Sequence, residues 1–157
     1  MTTNHAIPAA SPSPETVVAH MFAADRASRA LGMRIVAVGE GTARVEMAVR
    51  DDMLNSHEIC HGGFITTLAD SAFAFACNAR NHLTVAAGLS VEFLTQVKRG
   101  EVLTADAVEV SLRGRSGVYD IVVTNQDGVR VALVRGRSAS LRGRTVMPAA
   151  TDDRKEA

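Results

Sequence analysis

NSHEICHGGFITTLADSAFAFACN, residues 55–78, is the stretch whose reading decides the fold. Its second half is apolar on nearly every face, through Phe64, Ile65, Leu68, Ala69, Ala72, Phe73, Phe75 and Ala76. A helix without a polar face belongs inside a core. Running from Phe64 to Arg80, it is about 25 Å long, enough to cross a small domain. Gly62 and Gly63 stand in front of it, and their amides are expected to be unpaired donors at the helix start. One carboxylate, Asp70, sits in its middle.

Asp70 is the anomaly. Its helical neighbours three and four residues away are Thr66, Thr67, Phe73 and Ala74, so no local cation neutralises it. A carboxylate is almost never buried without a partner, since an unpaired one raises its pKa or costs several kcal/mol. Either an arginine from elsewhere meets it, or it reaches solvent, or it is a general base or nucleophile held in an apolar pocket. The glycines favour the last reading, because free amides at a helix N-terminus hold a developing oxyanion. With Gly62 eight residues before Asp70, donor and carboxylate are expected to flank one substrate carbonyl.

Outward from this stretch, 157 residues make one domain with room for a real core. The hydrophobic fraction is 46% but aromatics are only 4%, so that core is chiefly Val, Ala and Leu. Lys plus Arg and Asp plus Glu number 17 each, a balance that argues against nucleic acid as partner. It also suggests surface hidden in an oligomer. Two cysteines, Cys60 and Cys77, are too few for a disulfide framework and fit a reducing compartment. No apolar run is long enough to span a membrane and no signal peptide is legible, so the cytoplasm is the expected location.

Residues 1–12 read as a disordered tail. Ser13-Pro14-Glu15 reads as an N-cap with proline at the first helical position, opening a helix that stops near Gly32. Met33–Val38 and Thr42–Val49 are strands joined around Gly39-Glu40-Gly41. The second places Ala43, Val45, Met47 and Val49 on one face, the pattern of a half-buried strand. After the central helix come strands over Thr84–Leu94, Glu101–Leu112, Val118–Asn125 and Val129–Leu141, with Asp127-Gly128 as a hairpin signal. Residues 143–157 read as a second disordered tail, leaving one domain over 13–142. Short turns between strands and one greasy helix specify an α+β domain, a curved antiparallel sheet wrapped around that helix.

His57-Glu58-Ile59-Cys60-His61 matches the zinc-protease pattern H-E-x-x-H. That chemistry needs both histidines one turn apart on a helix. Asn55-Ser56 before it and Gly62-Gly63 after it deny the helix, and no third ligand is evident, so no metal is assigned. Cys60 reads as a half-buried thiol, its adjacent His61 being badly placed to activate it.

The run N-x-x-x-x-C-H-G-G-x-x-x-T-L-A-D-S-A-F-A-F-A-C-N resembles the hotdog-fold acyl-CoA thioesterases, most closely the phenylacetic-acid-pathway group. GLSVEF, GRSGVYDIVVTNQDG and GRS carry the same resemblance, which extends over about residues 15–142. It implies hydrolysis of phenylacetyl-CoA, hydroxyphenylacetyl-CoA or a related aryl or medium acyl-CoA. Asp70 sits where the family has its catalytic carboxylate, as general base or nucleophile, and Gly62 where an amide polarises the thioester carbonyl. His61 matches a residue that helps place the carbonyl or the leaving sulfur. Asn55 matches one that orients water or acyl group, although Asn also commonly caps loops. Ser90 matches a polar residue supplied by a neighbouring subunit. The resemblance further implies a homodimer with joined sheets, commonly paired into a tetramer, with sites at the subunit interface. It needs no cofactor, coenzyme A being part of the substrate.

Gly63, beside Gly62, belongs to the same substrate-binding turn. The phosphates of CoA call for cations, and Arg113 and Arg115, with Lys98 and Arg99 behind them, sit at turns where they can serve. A hotdog dehydratase or hydratase and a non-catalytic acyl-CoA-binding module are the competing readings. The first lacks a clear Asp/His pair for water addition; the second does not need the combination of Asn55, His61, Gly62 and Asp70.

Overall fold

The computed structural model describes residues 11–148. The chain runs α1 (Pro14–Ala24), α2 (Arg26–Ala30), β1 (Arg34–Gly39), β2 (Thr42–Ala48), a 3₁₀ turn (Asp51–Met53) and α3 (Gly62–Asn78). It continues through β3 (His82–Phe93), β4 (Val102–Arg113), β5 (Ser116–Thr124) and β6 (Arg130–Thr145). The six strands form one sheet in the order β1-β2-β4-β5-β6-β3, every neighbouring pair antiparallel. Three pairs are hairpins. The β2-to-β3 connection instead carries the chain through α3 to the far edge, which lays the helix across the concave face.

The apolar character of α3 now has its reason. Leu68, Ala69, Ala72, Phe73 and Ala76 are fully buried against Val45, Leu103, Ala105 and Val123 of the sheet. Ala43, Val45, Met47 and Val49 all point inward, as their alternation requires. The sheet comes so close to the helix that a Cβ at Gly136 would lie 3.0 Å from the Phe73 ring. Phe73 also packs on Tyr119, ring centroids 5.2 Å apart, and Phe22 of α1 meets Phe75 edge-on at 6.1 Å.

Three differences from the sequence reading have a structural reason, while other element ends move by one or two residues. The first helix is two, because Asp25 ends α1 and then caps α2, its carboxylate accepting from the Ser28 amide at 3.0 Å and hydroxyl at 2.6 Å. Gly32 follows α2 at φ 70°, the left-handed position glycine favours. The central helix starts at Gly62 rather than Phe64, so both glycines are inside its first turn. Strand β6 runs to Thr145, four residues past the expected end at Leu141, because His82 of β3 pairs with it there. Most of the two expected tails lies outside the described residues.

Asn78 ties the end of α3 to the start of β3. Its Nδ2 donates to the carbonyls of Ala74 and Thr84, each at 2.9 Å, and its Oδ1 accepts from the Thr84 amide at 2.8 Å, the Asn78 side chain itself being buried. Removing a side chain that satisfies buried backbone groups costs about 1–3 kcal/mol. Asn78→Ala is therefore expected to lower Tm by about 3–9 °C in calorimetry, given the usual conversion for a domain of this size. An unchanged Tm contradicts this assignment.

Candidate active site

The loop before α3 is built by its own polar groups. Asn55 Oδ1 accepts from the amides of His57 at 2.9 Å and Ile59 at 3.4 Å, while the Asn55 and Ile59 backbones pair at 2.8 Å. Glu58 sits at φ 59° within this turn. The Cys60 amide donates to Val97 and the His61 amide to Met53, each at 2.8 Å, so the loop is fastened on both sides. His57 and His61 thus share no helical face, and the H-E-x-x-H pattern is not a metal motif here. Among the described residues no cluster of three or more His, Cys, Asp or Glu is placed to hold a metal.

Asn55 has a double character. Its oxygen caps the loop, as Asn often does, and this bonding fixes the amide so that Nδ2 faces away from the turn. Nδ2 has no acceptor among the described residues, which leaves it free to donate.

His61 is the N-cap of α3. Its Nδ1 accepts from the Gly63 amide at 3.0 Å, which puts the ring proton on Nε2. This corrects the expectation that both glycine amides are free. Gly63 is spent on the cap, whereas the Gly62 amide has no acceptor among the described residues and lies at the positive end of the helix. Gly62 opens on a cavity of about 380 Å³ walled by Ile59, Ile65, Phe93 and Leu94, with Asn55 at its margin. Cys60 also borders it, but burial pushes its thiol up to about 11, aided by Glu101, which disfavours the thiolate.

Asp70 lies half-buried on the one stripe of α3 that the sheet does not cover, with Gly63, Thr66, Thr67 and Ala74. No ion pair or side-chain hydrogen bond reaches it from any described residue. The arginine partner that a structural carboxylate would need is absent from the described residues, and burial raises its pKa above the ordinary 3.8.

One expectation fails on helix geometry. Gly62 and Asp70 belong to one unbroken helix, so eight residues separate them by about 12 Å along its axis. They cannot flank one carbonyl within a single chain.

The remaining candidates scatter. Ser90 pairs with Arg135 on the outer face of the sheet, away from α3, in a cleft with Glu92 and Asp120. Arg113 and Arg115 lie at the β4–β5 turn, in the row Ser116–Ala139–Val85. The Gly62 cavity lies at Phe93, eight residues or about 26 Å along β3, so neither arginine reaches it in one chain. Lys98 and Arg99 follow directly on Val97 of the cavity wall, and Arg99 pairs with Asp51 at 2.7 Å. Phe93, Ile59 and Leu94 had not been singled out. Ile59 reads only as an apolar residue of the turn, and Phe93 and Leu94 as the end of a strand some 31 residues on, without a clue that they would meet Gly62.

The Thioesterase superfamily sequence model matches residues 57–132, a span that contains all of α3 and the turn from His57 onward. The acyl-coenzyme A thioesterase PaaI of Escherichia coli (strain K12) is 44% identical over 124 residues, covering 78% of this chain and 88% of that one. The chain belongs to the thioesterase superfamily. Its sheet and helix are the hotdog fold of that superfamily, and the E. coli PaaI protein of the phenylacetic acid degradation operon superposes with TM-score 0.82 at 40% identity. That superposition covers 84% of this chain and 95% of PaaI. A Streptococcus mutans protein solved bound to acetyl CoA has TM-score 0.69 at 27% identity, over 72% of this chain and 91% of its own. This superfamily member is a thioester hydrolase, and no helix among its described residues is long and apolar enough to cross a membrane.

The unpaired setting of Asp70 gives a signed prediction. A folded-state pKa above the ordinary 3.8 means the folded chain holds that proton more tightly than the unfolded one. Stability from this group is complete below the ordinary value and is lost as pH rises through the raised one. Asp70→Asn, which keeps the shape without the charge, is expected to show a higher Tm than wild type at pH 7. The difference should close as pH falls toward 4, read by calorimetry. A lower Tm for the variant at pH 7 contradicts the unpaired placement.

Proposed function

We propose that this chain hydrolyses acyl-CoA thioesters, with phenylacetyl-CoA, hydroxyphenylacetyl-CoA or a related aryl or medium acyl-CoA as substrate. The observation that carries this reading is the unclaimed Gly62 amide at the positive end of α3, opening on an apolar cavity. The similarity to PaaI supports the acyl-CoA class.

Two chains complete the site. The 12 Å between Gly62 and Asp70 is bridged when two antiparallel copies of α3 meet about a two-fold axis near Thr66, midway between them in sequence. Asp70 of one chain is then level with Gly62 of the other, and symmetry makes two such sites. Edge strand β3 favours this pairing. It is 12 residues long, has no neighbour on its outer side among the described residues, and leaves Val85 and Leu89 substantially exposed.

In this arrangement the thioester oxygen accepts from the Gly62 amide, and the helix end stabilises the negative charge that develops there. Asn55 Nδ2 and His61 Nε2–H stand by as donors to acyl group, water or sulfur. Asp70 acts as general base or as nucleophile. As base, it takes a proton from water while the water oxygen bonds to the carbonyl carbon. The C–S bond then breaks with its electron pair on sulfur, and the proton passes on to the thiolate. The raised pKa of Asp70 brings the base closer to neutral pH. Coenzyme A enters as part of the substrate. Lys98 is the cation we assign first to its phosphates, with Arg113 and Arg115 contributing across the dimer.

Release of CoA from phenylacetyl-CoA, followed with a thiol reagent, tests the reading. Wild type is expected to be active, and Asp70→Ala and Asp70→Asn to lose at least about a hundredfold in kcat/KM. Undiminished activity in both variants removes Asp70 from the chemistry.

A further inference from the structure

Phe93 is the last residue of β3, and it does two unusual things. The residue is 53% exposed although it points to the helix side of the sheet, opposite the buried Ala132 of β6. Its tip also rests on Gly62: a Cβ built there would lie 2.8 Å from Phe93 Cζ, and 3.1 and 3.2 Å from the two Cε atoms. Glycine at position 62 therefore leaves room for this ring as well as opening the helix. Among the residues lining the 380 Å³ cavity, Phe93 is the single aromatic one.

The consequence follows from bond lengths. A carbonyl oxygen held by the Gly62 amide at about 2.9 Å puts the carbonyl carbon and its α-carbon beside that amide. The ring touching Gly62 then contacts the first carbons of the acyl group. Further carbons extend along Ile59, Ile65 and Leu94, which are aliphatic and carry no directional preference. A flat ring at this point favours a flat aryl group in an offset or edge-on contact, a geometry that rewards aromatic pairs beyond simple burial. The same ring stands where a branch at the acyl α-carbon would extend.

We propose that Phe93 determines acyl selectivity, favouring arylacetyl groups and rejecting α-branched ones. This rests on the acyl-CoA reading of the site and deepens it. Phe93 takes no part in bond making; it is the wall against which the acyl group is sorted.

The test is the ratio of kcat/KM values for phenylacetyl-CoA, hexanoyl-CoA and isobutyryl-CoA in wild type, Phe93→Ala and Phe93→Leu. A ratio is insensitive to the fraction of a variant that folds. Phe93→Ala is expected to reduce the phenylacetyl-to-hexanoyl ratio about 3–10-fold, the size of an aromatic pair contact. It should raise isobutyryl relative to hexanoyl by about tenfold or more, as for a pocket that gains a methyl's space. Phe93→Leu should lose the aryl preference and keep much of the rejection of branching. Both ratios unchanged within about twofold in both variants would overturn the assignment. That result, with a shifted sedimentation coefficient, would mark the ring as a subunit contact only. Failure of wild type to hydrolyse any of the three esters would overturn the functional reading itself, a separate outcome.

Discussion

The cap on the first turn of α3 is the interaction on which the site depends. A helix start offers several unpaired amides, and the protein must decide which to satisfy. Here the His61 imidazole claims the Gly63 amide and leaves the Gly62 amide open. One residue thus ends the Asn55 loop, starts the helix and fixes where its positive end faces. The loop is itself pinned by Cys60 to Val97 and by His61 to Met53, so the free amide is held rather than merely available. Donors fixed before reaction need no reorganisation during it, which is the source of most oxyanion stabilisation.

The second constraint is the rise of a helix. It keeps an amide and a carboxylate of the same α3 about 12 Å apart, too far for one carbonyl. In the pairing proposed above, an antiparallel second copy turns that distance into an advantage, because the same spacing would place two complete sites symmetrically. The uncovered stripe of α3 fits this role, being made of Gly63, Thr66, Thr67, Asp70 and Ala74 while the other faces fill the core. Asp70 is half-desolvated with no cation among the described residues, a setting that destabilises the fold slightly and is the one the proposed base requires.

Much of the fold was legible because its signals are local. The all-apolar helix, the alternation of Ala43, Val45, Met47 and Val49, and the Asp127-Gly128 turn each specify structure within a few residues. The break at Asp25 is hidden in the sequence because the apolar pattern continues across it, while the cap that makes it depends on the Asp25 carboxylate accepting from Ser28. Asp70 and Gly62 stood out by type, one as a charge among apolar residues and the other as a glycine before a helix. Their separation was computable from the helix rise, yet the single-chain reading overlooked it. Phe93 was not legible as a site residue, because its contact with Gly62 joins positions 31 residues apart through the β3 return. Ser90 and the arginines at 113 and 115 rest on a partner's placement, which no local pattern encodes.

Mixed dimers test the two-chain site most directly. Proline suits the first helical position and removes the amide proton, its ring also displacing Phe93 of the same chain, and His61 before it already has the extended conformation proline demands, at ψ 130°. Gly62→Pro and Asp70→Asn chains are each expected to be nearly inactive alone. Co-assembled at equal amounts, they should recover about a quarter of wild-type activity, since random pairing makes half the dimers mixed and each holds one whole site of two. Activity that stays at the level of the parents, with mixed dimers confirmed by native mass spectrometry, would contradict a site shared between chains.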